Sequence, residues 1–161
     1  MSELNQPPVS LALDALDVPH RVFVHDGPVT SLEQAAEERD QQPEQVIRSI
    51  VFRLSKGDYL MVLMAGPDQI SWSALRNYLG LSRLTTASRE EVLQVTSYKL
   101  GAVAPFGLPK PMRILVDESV LSQEEISLGS GVRGTAVIMQ SADLLPALGG
   151  AEVGRFGESK G

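Results

Sequence analysis

Ile47-Arg48-Ser49-Ile50-Val51-Phe52-Arg53-Leu54, then Ser55-Lys56-Gly57-Asp58, then Tyr59-Leu60-Met61-Val62-Leu63-Met64-Ala65 is the stretch that decides the fold. Both outer runs are β-rich, and the joint between them carries a glycine and an aspartate, so the spacing predicts a β-hairpin. Gly66-Pro67-Asp68 ends the second strand. Upstream, Pro43 suits the first position of a short helical turn. Thr30-Ser31-Leu32-Glu33 reads as a capping box with Thr30 as the cap, opening a helix through about Arg39. Before it come a strand over Arg21–His25, a turn at Asp26-Gly27-Pro28, and a first helix over Ser10–Leu16 broken by Val18-Pro19.

Downstream of the hairpin, Ser71 is placed to cap a helix over Trp72–Leu79 that Gly80 closes. Ser88-Arg89-Glu90-Glu91 is a second capping box, for a helix to about Thr96. A glycine- and proline-rich loop over Leu100–Lys110 leads to a strand at Met112–Val116 and a short turn at Asp117–Leu121. Two further strands, Glu125–Leu128 and Thr135–Met139, flank a glycine turn. Ser141 is expected to cap a last helix that Gly149-Gly150 stops. This mixture of strands and helices is an α/β (α+β) pattern. No linker or repeat interrupts it, so residues 1–150 are expected to form one domain and residues 151–161 a loose tail.

With 161 residues, 43% hydrophobic and 21% charged, the chain has the makings of one soluble core. No apolar run is long enough to span a bilayer and no basic leader opens the chain, so a cytoplasmic protein without a membrane partner is expected. The absence of cysteine excludes disulfides, thiolate metal sites and cysteine nucleophiles. His20 and His25 are too few for a histidine metal cage, and no metal or other cofactor is expected. A net charge of −6 argues against DNA and against long RNA duplexes, because phosphate neutralisation supplies most of such affinity. It leaves room for a local contact with one end of an RNA.

Gly129-Ser130-Gly131-Val132-Arg133-Gly134 matches the G-x-G-x-x-G dinucleotide pattern by letter. A strand rather than a helix follows it, so a tight turn that lets a ligand approach closely is the better reading. No G-x-S-x-G elbow supports a serine hydrolase. His20, beside Pro19, reads as a turn residue, whereas His25, at a strand end, is a candidate pocket residue. Gly101-Ala102-Val103-Ala104-Pro105-Phe106-Gly107 is an apolar loop of the kind that lines sites, or else a buried connector. Arg48 is a charge within a core-like strand, on the face shared with Ile50. It is read either as a cleft-lining anion binder or as a solvated edge residue.

Taken in order, several segments resemble the YbaK family of aminoacyl-tRNA deacylases (ProX-like proteins), related to the editing domain inserted in bacterial prolyl-tRNA synthetase. They are Phe23-Val24-His25, Thr30 with the Glu33–Ala36 helix, Pro43 through Phe52, Gly101–Gly107 with Lys110-Pro111, Val116–Ser119, Ser130–Gly134 and Asp143-Leu144. The resemblance implies a mixed, curved β-sheet surrounded by helices. It also implies hydrolysis of mischarged aminoacyl-tRNA held by its CCA end, with prolyl-tRNA synthetase as a further expected partner. On this reading Arg48 anchors the CCA end or the ester carbonyl, and amides near Gly101, Gly107 and Gly131 stabilise the oxyanion. Phe23, Leu32, Pro105 and Phe106 shape the amino-acid pocket, with His25 as a further pocket residue, while Ser49, Thr30 and Ser130 order a water. Arg48 stands where the family carries a lysine, and Val132 replaces another. A non-catalytic binding module of the same fold is therefore the alternative.

Overall fold

The computed structural model describes residues 6–55 and 57–158. Its elements, in order, are α1 (Pro8–Ala15), β1 (His20–Val24), α2 (Leu32–Glu38), β2 (Ile47–Ser55) and β3 (Asp58–Ala65). There follow α3 (Trp72–Leu79), β4 (Thr85–Thr86), α4 (Arg89–Thr96), β5 (Arg113–Asp117), β6 (Glu125–Gly129), β7 (Thr135–Gln140), α5 (Leu144–Leu148) and β8 (Glu152–Gly154). Short 3₁₀ turns occupy Pro43–Gln45, Glu118–Leu121 and Ser141–Asp143.

The mixed sheet comes in two parts. One is five-stranded in the order β4-β2-β3-β5-β8, and the other three-stranded and antiparallel in the order β1-β7-β6. The β2–β3 hairpin is antiparallel from Ile47↔Ala65 to Ser55↔Asp58, while β5 joins β3 in parallel. The hairpin thus forms as its sequence indicates, although Lys56 of its turn lies outside the described residues. β3 is buried on both faces, which is why its sequence runs apolar without alternation. Met61, Leu63 and Ala65 join the main core with Val51, Val116, Ile126 and Leu128. Leu60, Val62 and Met64 pack on the other side with Phe52, Leu75, Leu115 and Phe156. Among the described residues, β4 pairs β2 only at Phe52 and Arg53, so Ile47–Ile50 are laddered to β3 alone. Just ahead of them, Val46 bridges Ser127 of β6 and joins the two sheets.

Several expectations need correction. The cap of α2 is Ser31, whose hydroxyl accepts from the Gln34 N–H at 3.0 Å; Gln34 in turn accepts from the Thr30 N–H. The cap is therefore shifted by one residue, and the Gln34 side chain reaches past it to Thr30 instead of closing a capping box on Ser31. Ser141 does not cap α5; its hydroxyl donates to the Gln123 carbonyl. The first helix begins two residues early, at Pro8, where proline's missing N–H costs nothing. Residues 151–158 are not a loose tail. β8 pairs in parallel with β5, and Phe156 is fully buried. Burial of an aromatic ring stabilises the segment more than its glycines loosen it; residues 159–161 of the expected tail lie outside the described residues. No described helix is long and apolar enough to cross a membrane.

Candidate functional site

The start of β2, left without a second ladder partner, borders a cavity of about 770 Å³. α2 and residues 28–31 form one wall, the ends of β6 and the 133–135 turn another, and residues 100–103 a third. This volume suits a small-molecule or terminal-nucleotide ligand. A larger cavity, of about 1400 Å³, lies at the far end of the same hairpin, lined by Arg53, Tyr59 and Glu91 among others.

Arg48 lines the smaller cavity from β2, opposite Met64 in the ladder. Its Nε–H donates to the Gly66 carbonyl at 2.8 Å, and a terminal N–H donates to the Asp68 carbonyl. Partial burial lowers its pKa, and the charge of Asp68 opposes that shift. Two backbone oxygens therefore orient the guanidinium. Next to it, Ser49 Oγ is buried and has no hydrogen-bond partner among the described residues. A buried hydroxyl left unpaired costs free energy unless a ligand or water completes it.

The cavity also exposes a network that sequence reasoning missed. His25 Nδ1 lies 2.6 Å from Glu38 Oε1, and Arg39 Nε–H donates to His25 Nε2 at 3.1 Å. A second Arg39 N–H donates to Ser127 Oγ at 2.9 Å, and Ser127 donates on to Gln41. An acceptor role at Nε2 fixes the tautomer: the ring proton sits on Nδ1 and points at Glu38. The lone pair that a general base would use is thus occupied by Arg39. Burial pushes the Arg39 pKa down to about 10, which leaves it a cation at neutral pH. Glu38 is held below its ordinary range, first by its bond from Gln34 and then by His25. One local signal was available: Ala35, Glu38 and Arg39 share a helix face, so a carboxylate and a cation flank a buried alanine there. Ser127, 88 positions from Arg39, gave none.

Gly129 explains how the 100–103 loop reaches the cavity. A Cβ there would overlap the carbonyl oxygens of Val103 and Ala102, so only glycine lets that loop lie on β6. Arg133 Nε–H donates to the Leu100 carbonyl at 2.9 Å and holds the loop's other end.

Of the residues expected at a site, Arg48, Ser49, His25, Leu32 and Gly101 line this cavity together. The others lie elsewhere. Gly131 packs against Tyr98 and Pro8, and its N–H donates to the Ala102 carbonyl, so that amide is not available to an oxyanion. Gly107 packs on the Tyr98 hydroxyl, which itself donates to the Phe106 carbonyl at 2.7 Å. Pro105 and Phe106 are buried within the loop. The Ser130 hydroxyl closes its own turn through Val132 and Thr135. Thr30 is exposed and bonds Gln34. Phe23 touches the site only through His25, edge to face at 4.8 Å. His20 bonds Ser10 and the Val18 carbonyl, pinning α1 to β1.

The electrostatics of the cavity oppose those of the chain. Arg39, Arg48 and Arg133 line it and no carboxylate does, in a protein of net charge −6. Such a pocket focuses positive potential on an anionic or carbonyl-bearing ligand. No group of three or more histidine, aspartate or glutamate side chains suited to a metal ion occurs among the described residues.

Residues 26–146 match the family of aminoacyl-tRNA editing domains. Two proline–tRNA ligases of Streptococcus pneumoniae, strains Hungary19A-6 and CGSP14, are each 30% identical over 106 residues, covering 66% of this chain. The matched part is 17% of each ligase, so the chain corresponds to a small portion of those proteins. A solved structure provisionally described as a trans-editing enzyme for prolyl tRNA synthetase superposes with a TM-score of 0.86 at 25% identity, over 94% of this chain and 96% of that one. A scaffold protein used in epitope backbone grafting shares the fold, with a TM-score of 0.85 at 22% identity and the same coverage. The chain belongs to the aminoacyl-tRNA editing domain family.

Proposed function

We propose that this chain is a deacylase acting in trans on tRNA that carries a small, wrongly attached amino acid, with tRNA(Pro) as the carrier. The observation that supports it best is the wall at the start of β2, where Arg48, oriented by backbone carbonyls, and Ser49, with an unpartnered buried hydroxyl, line the same cavity. The 3′ end of tRNA would bring an ester carbonyl and phosphates into a cavity lined by Arg39, Arg48 and Arg133 and by no carboxylate. Restriction of the contact to the RNA terminus fits the acidic net charge.

In this mechanism Arg48 polarises the ester carbonyl, with the Gly101 amide as a second donor to the developing oxyanion. Ser49 Oγ orders a water that attacks the carbonyl carbon. The bond to the ribose oxygen breaks, and the proton given up by the water ends on that oxygen, leaving free amino acid and free tRNA. His25 does not serve as the base, because Arg39 holds its lone pair; it fixes the cavity floor instead. Leu32, Val103 and Leu128 form the apolar wall that would size the acyl group. The choice of tRNA(Pro) rests on the proline–tRNA ligases among the relatives and on the description of the structural neighbour.

A second reading, a binding module without turnover, draws on the same arginine: a fork already anchored on two backbone carbonyls suits clamping as well as polarising. Single-turnover deacylation of tRNA(Pro) charged with alanine, cysteine or proline separates the two. Hydrolysis of a mischarged species above the buffer rate is expected. Retention of the charged tRNA on the protein with no hydrolysis of any member would contradict the deacylase reading and favour the module.

A further inference from the structure

The carbonyls that orient Arg48 belong to residues 66–71, between β3 and α3, and that loop is itself held from an unexpected direction. Its first half is tied to the core: the Gly66 N–H donates to the Val46 carbonyl at 2.8 Å. Its second half is tied by residues 156–158. Ile70 bridges Gly157, the Glu158 N–H donates to the Gln69 carbonyl at 2.8 Å, and the Ser71 N–H donates to the Phe156 carbonyl at 2.7 Å.

Those residues are fixed in turn. Asp117, at the end of β5 and 5% exposed, accepts at Oδ1 from the Phe156 N–H (2.6 Å) and the Gly157 N–H (3.2 Å). Its Oδ2 accepts from the Ser119 N–H at 3.0 Å, so both oxygens of a buried carboxylate are satisfied by backbone. β8 lies on β5, and the Phe156 ring is buried in the cluster that includes Met64 and Ile70. Met64 is the ladder partner of Arg48, and a Cβ on Gly157 would come within 3.0 Å of its terminal carbon. The segment 152–158 therefore bears on Arg48 by two indirect routes, through the loop that carries its Gly66 and Asp68 acceptors and through its cross-strand neighbour Met64. It also lies beyond residue 146, where the match to the family ends.

We propose that residues 152–158 form a strap, fastened by Asp117, that positions Arg48 for its part in the site. The inference rests on the reading of Arg48 given above. Asp117 and the strap are positioning residues, since neither lines the cavity. A guanidinium displaced by a fraction of an ångström loses alignment with a reacting carbonyl, so the strap acts on the rate of the chemical step rather than on capture of the tRNA.

Two measurements on the full chain test this, on variants first shown by thermal melting to be folded. The exchange of the Arg48 Nε–H with solvent is read from ¹H–¹⁵N spectra, its signal identified by its loss in Arg48→Lys. Asp117→Ala is expected to speed that exchange by about tenfold, the worth of a lost hydrogen bond. Asp117→Asn, which keeps an oxygen for the Phe156 and Gly157 amides, is expected to stay within about threefold of wild type. Glu158→Pro removes the N–H that bonds the Gln69 carbonyl, at an exposed residue outside the core, so it supplies a folded variant should Asp117→Ala melt too low. Single-turnover deacylation is then measured in a double-mutant cycle. Asp117→Ala should lower the saturating rate by about tenfold, leave the half-saturating concentration unchanged, and cost less than about twofold when Arg48 is already alanine. Unchanged Arg48 exchange in folded strap variants would overturn the proposal, as would the same rate loss in both backgrounds. If the wild type hydrolyses nothing, the deacylase reading fails, while the exchange arm still decides whether the strap positions Arg48.

Discussion

Arg48 and Arg53 stand on one strand, five positions apart and on opposite faces, and they lead opposite lives. Arg53 is exposed and ends on Glu91 at 3.0 Å, in a cluster that also takes the Tyr59 hydroxyl at 2.8 Å. A carboxylate neutralises it, and solvent screens what remains. Arg48 is half-buried, its two bonded donors end on main-chain carbonyls, and it lines a cavity without a carboxylate. Backbone oxygens orient a cation without cancelling its charge, which is what an anion- or carbonyl-binding site requires. The larger cavity lies at the Arg53 end, yet the smaller one holds the oriented guanidinium and the unpartnered hydroxyl.

The contrast can be broken at graded cost. After Arg48 itself, the largest effect is expected from Arg39→Met. It leaves the His25 Nε2 lone pair buried and unpaired, which should destabilise the fold by about 1–3 kcal/mol. With the cavity floor released, the single-turnover rate should also fall by about tenfold. Urea unfolding and the deacylation assay read the two effects separately; a variant unchanged in both would remove Arg39 from the site. Gly129→Ala comes next. Its methyl group meets the Ala102 and Val103 carbonyls, so a loss of about 1–3 kcal/mol is expected from the same unfolding measurement. Gly134→Ala, where a Cβ meets no atom within 4 Å, separates the overlap at Gly129 from the strain of a positive φ.

The smallest effect sharpens the Arg53 side. The Ser88 N–H first, and then the Tyr59 hydroxyl, hold the Glu91 carboxyl down to about 2, from an ordinary value of 4.5. Between those values the unfolded chain binds the proton and the folded chain does not, so stability rises with pH across that window. The contribution of Glu91 is therefore present above about 4.5 and is lost as pH falls towards about 2. Glu91→Gln should flatten the slope of stability against pH in that range. Arg48→Ala should leave the slope unchanged, because it does not touch the Ser88 and Tyr59 bonds that hold Glu91 down.

Much of this was legible in the sequence where the signal is local. The hairpin follows from two apolar runs and a short joint, the α4 cap from Ser88 and Glu91 three apart, and the end of α3 from Gly80 in a left-handed conformation. Arg48 could be named because a charge stands out in an apolar run, His25 because it ends a strand, and Gly101 because it opens an apolar loop; Ser49 and Leu32 came with the family resemblance. What escaped depends on distant partners. Phe156 is a lone aromatic among glycines, and its backbone is anchored by the Asp117 carboxylate, 39 positions away, and by the Ser71 N–H. Gly131 and Ser130 are small and flexible in sequence, yet one has its N–H on Ala102 and the other its hydroxyl in its own turn. Gly129, where a Cβ would overlap two backbone carbonyls, looked no different from its neighbours.

The most direct test of the central claim sets Arg48→Ala beside Arg53→Ala in single-turnover hydrolysis of mischarged tRNA(Pro). Removal of an oriented donor from the reacting carbonyl should cost Arg48→Ala about a hundredfold or more, while Arg53→Ala stays within about twofold of wild type. Equal losses in the two variants would contradict a site built around Arg48, and would place the effect in the positive charge of the strand as a whole.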